Sequence, residues 1–342
     1  MASTAPDVPR EALWCLVLGS AALVAAGLAA RGIAVDFAGR ENLLGMLAST
    51  ALLAAYPFRT QSGRRWIELL EMLALFSATC VTGAAASYVM AGVPTPYADW
   101  WLARADAALG IDWPALYALT AASPALQVAG TYIYGMIAGT PLLLLVALAL
   151  SGREAHARRF VLAFWLALAL TCLLFPLAPA QGPLVQYDLL DGPYVPATGH
   201  YHVQILAAAR SGEFDRLPLD DLHGLIAFPS FHAASALLYA WAAWPLRRAR
   251  WPVLAVNALM LLATPVEGAH YVVDLLAGLF VAGGAIWASY RIRWTIALPN
   301  LRWASTARPG ASTTSPAAAS AAAQPPGATS PFASAPEANP LP

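Results

Sequence analysis

The chain has 342 residues, 59% of them hydrophobic and only 11% charged, with a mean hydropathy of +0.59. Soluble domains carry about 25% charged residues, so this composition excludes an ordinary water-soluble enzyme and points to a protein that crosses a membrane several times. The formal net charge is zero, and all 19 basic residues are arginine. That balance argues against nucleic acid as a partner.

A membrane span needs about 20 apolar residues. Eight stretches qualify or come close: 12–30, 42–57, 67–91, 125–150, 158–178, 228–246, 252–267 and 269–289. The first lacks a clear signal-peptidase site and reads as a retained span. The second and seventh are short. The seventh and eighth have almost nothing between them and must form a tight helical hairpin. Two connecting segments are long. Residues 92–124 carry Tyr97-Ala98-Asp99-Trp100-Trp101 and a Leu109-Gly110-Ile111-Asp112-Trp113 run. They read as a short amphipathic helix in the membrane interface, anchored by its tryptophans. Residues 179–226 are rich in Pro, Gly and Asp and hold His200, His202, Arg210, Arg216 and His223. A loop of that length is usually functional or disordered. Beyond about residue 304, Pro, Ala, Ser and Thr dominate and predict a disordered tail. Cys15, Cys80 and Cys172 fall in apolar stretches without metal-ligand spacing, so no structural disulfide is expected.

Arginine placement tests the span count. With eight spans, fourteen arginines fall on one side and five (Arg31, Arg40, Arg104, Arg210 and Arg216) on the other. Positive charge marks the cytoplasmic side. Both termini are then cytoplasmic, and the starts of the sixth and eighth stretches face outward. The expectation is an all-α, polytopic helix bundle in the cell (inner) membrane, with its chemistry on the periplasmic or exterior side.

Those two outward helix starts carry the chemistry. Phe228-Pro229-Ser230-Phe231-His232 opens one apolar stretch. His270-Tyr271-Val272-Val273-Asp274 opens another, 38 residues after His232. Titratable groups are costly at membrane depth and are functional candidates by default. His270 and Asp274 lie four apart, on one face of a helix. A carboxylate there holds one imidazole nitrogen and leaves the other free to attack. Pro229 suits a first helical turn. The amides of that turn and the Ser230 hydroxyl offer an anion site, with His232 directed at whatever binds. For either string taken alone, a capped helix end or a self-satisfied polar pair is the simpler reading. Together on one membrane side they supply an acid, a nucleophile and its orienting carboxylate. His200-x-His202, with His223 further on, has no adjacent cysteine and only a distant acidic cluster, so no metal site is expected.

This combination resembles the type 2 phosphatidic acid phosphatase superfamily, and within it the branch similar to inositol phosphorylceramide synthase. Pro229-Ser230-Phe231-His232 matches that superfamily's Pro-Ser-Gly-His motif, with Phe231 in place of glycine. Gly268-Ala269-His270-Tyr271-Val272-Val273-Asp274, continuing to Ala277-Gly278, matches the synthase-like form of the last motif. Leu109-Gly110-Ile111-Asp112-Trp113 is also similar to that branch. The likeness covers roughly residues 65–290 as one membrane domain with a six-helix phosphatase-like core. Residues 1–64 would be extra N-terminal spans and 291–342 a cytoplasmic tail.

The resemblance implies that His270 attacks phosphorus, Asp274 orients it, and His232 protonates the departing oxygen and later activates the acceptor. Ser230 would hold phosphate oxygens, and no metal or other cofactor would be needed. Thr264 stands where the family has a motif arginine, and no Lys-x6-Arg-Pro occurs. Another cation is then needed, and Arg210 and Arg216, shortly before the second motif, are the preferred substrate-binding candidates. The expected function is transfer or hydrolysis of a lipid phosphate, with head-group transfer of the inositol-phosphoryl type favoured. The alternatives are a proton-coupled lipid transporter or flippase, and an inactive relative that binds lipid or a protein.

Overall fold

The computed structural model describes residues 7–37 and 64–294. The predicted second span (42–57), Arg40, Arg59 and the tail with Arg302 and Arg308 lie outside the described residues. In chain order the elements are α1 (Arg10–Ala30), β1 (Ala34–Asp36), α2 (Arg64–Ala91), α3 (Asp99–Ala108), α4 (Trp113–Ala121), α5 (Pro124–Tyr134) and α6 (Met136–Leu150). They continue as α7 (Glu154–Leu174), α8 (Pro183–Gln186), α9 (Gly199–Ser211), β2 (Arg216–Pro218), α10 (Phe231–Ala243), α11 (Arg250–Glu267) and α12 (Val272–Arg291). The described residues are all-α apart from a two-stranded parallel pair joining β1 to β2, in which Val35 faces Leu217.

Four described helices are long and apolar enough to cross a membrane: Arg10–Ala30, Trp66–Ala91, Glu154–Leu177 and Val272–Arg291. A fifth crossing forms if α5 and α6, bent by 43° about Gly135, act as one broken span. The expected sixth stretch is trimmed to the 13 residues of α10. Those reach only about 20 Å, short of the roughly 30 Å hydrocarbon core. Pro245 explains the early stop, because proline cannot continue a helix. α11 has 18 residues and begins at Arg250. Between α11 and α12 only Gly268–Tyr271 intervene, which gives the tight connection expected there.

Aromatic and aliphatic side chains of α2, α6, α7 and α10 make the core. Phe76 packs on Phe164 with ring centroids 4.4 Å apart, and Phe164 stacks on Tyr239 at 6.4 Å. The outward faces are apolar too, with Leu262 of α11 and Phe280 of α12 about four-fifths exposed. Exposed apolar area of that extent marks a non-aqueous partner, here lipid. Arg10 and the Trp14 indole both bond Glu71 and tie the start of α1 to α2. At the other end of α1, Arg31 donates to the Tyr88 and Ala209 carbonyls, joining α1, α2 and α9.

The segment expected as one interfacial helix is two, and it does more than lie on a surface. Trp100 and Trp101 are exposed as anticipated, but Trp113 is fully buried. α3 also turns two carboxylates inward. Asp99 accepts from the Gln181 and Gly182 N–H groups and from the Tyr271 hydroxyl, at 2.8–3.0 Å. Asp106 accepts from the Val272 and Val273 N–H groups at 2.8 and 2.9 Å. A helix leaves its first N–H groups without partners, so Asp106 caps α12 from another element. Burial pushes its carboxyl above the ordinary range, and the two N–H bonds oppose that.

Asp106→Ala strands both N–H groups in a buried site, at a cost of about 1–3 kcal/mol each. Thermal melting in detergent is expected to show a large drop for Asp106→Ala and a smaller one for Asp106→Asn. A melting temperature unchanged in Asp106→Ala contradicts the capping role.

Candidate functional site

The two motif strings meet where the first turns of α10 and α12 cross. The Ser230 N–H donates to the Asp274 carbonyl at 2.9 Å. Gly278 permits this approach, since a Cβ there would lie 2.1 Å from the Ser230 carbonyl oxygen. The Ser230 hydroxyl caps α10 by accepting from the Ala233 N–H. It also lies 3.4 Å from His270 Nε2. On the other side of the ring, His270 Nδ1 faces Asp274 Oδ2 at 3.4 Å. That oxygen also accepts from the Tyr271 N–H at 2.9 Å, and Oδ1 is buried without a hydrogen-bond partner.

His232, in the first turn of α10, stacks on Tyr134 with centroids 4.0 Å apart and an interplanar angle of 13°. Its Nδ1 lies 3.3 Å from the Tyr134 hydroxyl. Its Nε2 is buried and has no partner, which is how a group awaiting a ligand looks. The His232 and His270 ring centroids are 6.3 Å apart.

His270 sits in the short turn between α11 and α12, and that turn is held from several directions. The Trp113 indole N–H donates to the His270 carbonyl at 3.0 Å. Ala269 takes a positive φ of 49°, and Gly182 (φ 98°) packs so close that a Cβ would stand 2.7 Å from the Ala269 carbonyl oxygen. Thr198, just ahead of α9, donates through both its N–H and its hydroxyl to the Glu267 carbonyl. The Glu267 side chain accepts from the Tyr194 hydroxyl at 2.7 Å. The long 179–226 connection is therefore packed down against the site.

Both histidines open on a cavity of about 310 Å³. Its polar end is formed by His202, His232, His270, Thr198 and Tyr134. The remaining wall is mostly apolar, including Phe76, Ile137, Phe164 and Leu168. The sequence candidates therefore divide. His270, His232, Asp274 and Ser230 are brought together. Arg210 and Arg216 are not among them. The Arg210 guanidinium donates to carbonyls of Ala91 and Thr95 and covers the Tyr97 ring, and Arg216 is exposed on β2. Arg104 lies over Trp100. Among the described residues, no arginine lines the cavity. Thr264, at the family's arginine position, is buried and bonds the Met260 carbonyl within its own helix.

Sequence reasoning missed four contributors. His202 enters the cavity from α9, although His200 and His223 do not line it. Trp113, Asp99 and Asp106 hold the His270 turn and α12. The Asp99/Asp106 spacing of seven places both on one helix face, and that pattern in so charge-poor a chain was the available signal. Among the described residues, no group of three His, Cys, Asp or Glu side chains has metal-holding geometry.

Apolar helices long enough to cross a membrane, with His232 and His270 opening on a mostly apolar cavity, fit a membrane phosphatase-like protein. Residues 100–288, more than half of the chain, match the family model of the PAP2 superfamily. The chain belongs to that superfamily. Searches of curated proteins and of solved structures returned no match.

The crossing at Gly278 gives a direct test. Gly278→Ala forces α10 and α12 apart, an overpacking cost of about 1–3 kcal/mol, and widens the Ser230–His270 separation. A lowered melting temperature together with reduced turnover is expected. Unchanged values in both contradict the close approach.

Proposed function

We propose that this protein is a lipid-phosphate phosphotransferase or phosphatase that works at the extracytoplasmic face through a phosphohistidine. One observation carries the reading: His270 is held by Asp274 on Nδ1 while its Nε2 faces the Ser230 hydroxyl, in a cavity shared with His232. In the first step His270 Nε2 attacks phosphorus. An N–P bond forms as the P–O bond to the leaving group breaks, and His232 delivers a proton to the departing oxygen. In the second step an acceptor oxygen attacks phosphorus. The N–P bond breaks, and His232 takes the acceptor's proton. Asp274 keeps the tautomer fixed throughout and balances the imidazolium that develops. Phosphoryl transfer depends chiefly on positioning and charge stabilisation, which suits a site assembled from rigid helix starts.

The apolar wall of the cavity supports a substrate with a hydrocarbon portion. The Gly268-to-Gly278 motif form favours an alcohol acceptor over water, and hence head-group transfer between lipids. In this reading α2, the α5–α6 pair, α7, α10, α11 and α12 are the six-helix core. The arginine distribution supports cytoplasmic termini with the histidine cavity on the other side.

Purified protein assayed with phosphatidic acid, prenyl diphosphate and phosphatidylinositol is expected to lose nearly all turnover in His270→Ala, by a factor of about 10³ or more. Asp274→Asn is expected to lose less. Acid-labile, base-stable phosphate should be trapped on wild type and not on His270→Ala. Full turnover in His270→Ala on the true substrate sinks the nucleophile assignment.

A further inference from the structure

A phosphate site without a fixed positive charge poses a question of chemistry. A phosphate monoester or diester carries at least one negative charge, and taking it out of water is costly without a compensating cation. Among the described residues, no arginine lines the cavity. What the cavity does hold is a third imidazole. His202 sits in the first turn of α9, and that turn is pinned to the chain entering His270 by the two Thr198 bonds to Glu267. Its Nε2 lies 3.5 Å from the Ala180 carbonyl, at the edge of hydrogen-bond range. It shares the polar end of the cavity with His232 and His270.

We propose that His202 is a substrate-binding residue that takes up a proton when the phosphate enters and donates a charge-assisted hydrogen bond to its oxygens, filling the place of the missing arginine. This assignment rests on the phosphate-site reading above and adds a residue to it. The titratable groups that share the cavity with His202 are His232, His270, Tyr134, Tyr239 and Cys80, and Asp99 acts on it from α3. Burial lowers the His202 imidazole to about 4; the Ala180 carbonyl and Asp99 oppose this, and His270 adds to it. The ring is therefore neutral near pH 7. An anion placed beside an imidazole favours its charged form, so the positive charge arrives with the ligand. The proton comes from water or from the phosphate's own acidic oxygen. Such a site keeps the cavity uncharged toward neutral lipid and becomes cationic only around phosphate.

Histidine-labelled protein in detergent offers a test that needs no turnover. The chain has six histidines, whose NMR signals can be assigned by substitution. Inorganic phosphate is the probe, up to about 100 mM to cover weak binding. The His202 titration midpoint is expected to rise by about three units, to near neutrality, each unit being a tenfold change in proton affinity. A midpoint unmoved by phosphate overturns the assignment. In kinetics, His202→Gln is expected to raise KM about tenfold or more, the size of one lost charge-assisted hydrogen bond, with a smaller effect on kcat. His202→Arg should restore KM and flatten its pH dependence. A KM within about twofold of wild type in folded His202→Gln also overturns it. The two readings fail separately. If His270→Ala keeps turnover, the phosphohistidine fails while the His202 midpoint still moves. If His270→Ala is dead and the midpoint is static, only the His202 assignment fails.

Discussion

The site depends on one close crossing of helices. The first turn of α10 lies against the first turns of α12, with the Ser230 N–H bonded to the Asp274 carbonyl. Only a residue without a Cβ at position 278 permits it. Two strings of polar residues, far apart in the chain, thereby share one small volume. Ser230 reaches His270, and His232 follows on the same helical turn to face it. No long side chain has to search for its place. The functional groups sit on short side chains at helix starts or, for His270, on a turn held from several directions, which is how a site keeps its geometry.

A crossing of helix starts exposes unpartnered N–H groups in an apolar setting, and these must be satisfied. The outer helices do this. Asp106 caps α12, and Asp99 binds the turn that packs under Ala269. The Trp113 indole takes the His270 carbonyl. These groups do not reach the cavity, yet they define where His270 sits. The short helices α3 and α4 thus serve as the frame for the His270 turn.

The cavity combines an apolar wall with three imidazoles and no guanidinium among the described residues. A fixed charge there would carry a constant desolvation cost. Neutral imidazoles avoid that cost and remain able to charge when an anion enters. The absence of the family's arginine at Thr264 therefore need not mean an inert site. On the proposed role of His202, the source of the charge shifts from a permanent group to one linked to binding.

Much of this was legible in the sequence. Hydropathy gave an all-α membrane protein, because runs of apolar residues have no other stable setting. The His-x-x-x-Asp and Pro-Ser-x-His strings marked the four residues that converge, since the rarity of charge acts locally; His270 itself lies in the turn before α12 rather than on the helix face its spacing predicted. Sequence did not determine which cations and carboxylates turn inward. Arg210 sits near the second motif in the chain, but its guanidinium finds unpaired carbonyls at the end of α2 first. Asp99 and Asp106 looked like the polar face of an interfacial helix, and became caps only once α12 was placed beside them. His202 was one histidine of a loop string with no assigned role until α9 turned it, and not His200, into the cavity. Local pattern decides which residues are helical and costly to bury; the partner that satisfies each buried group is chosen by packing between distant segments, and only the tertiary structure contains that choice.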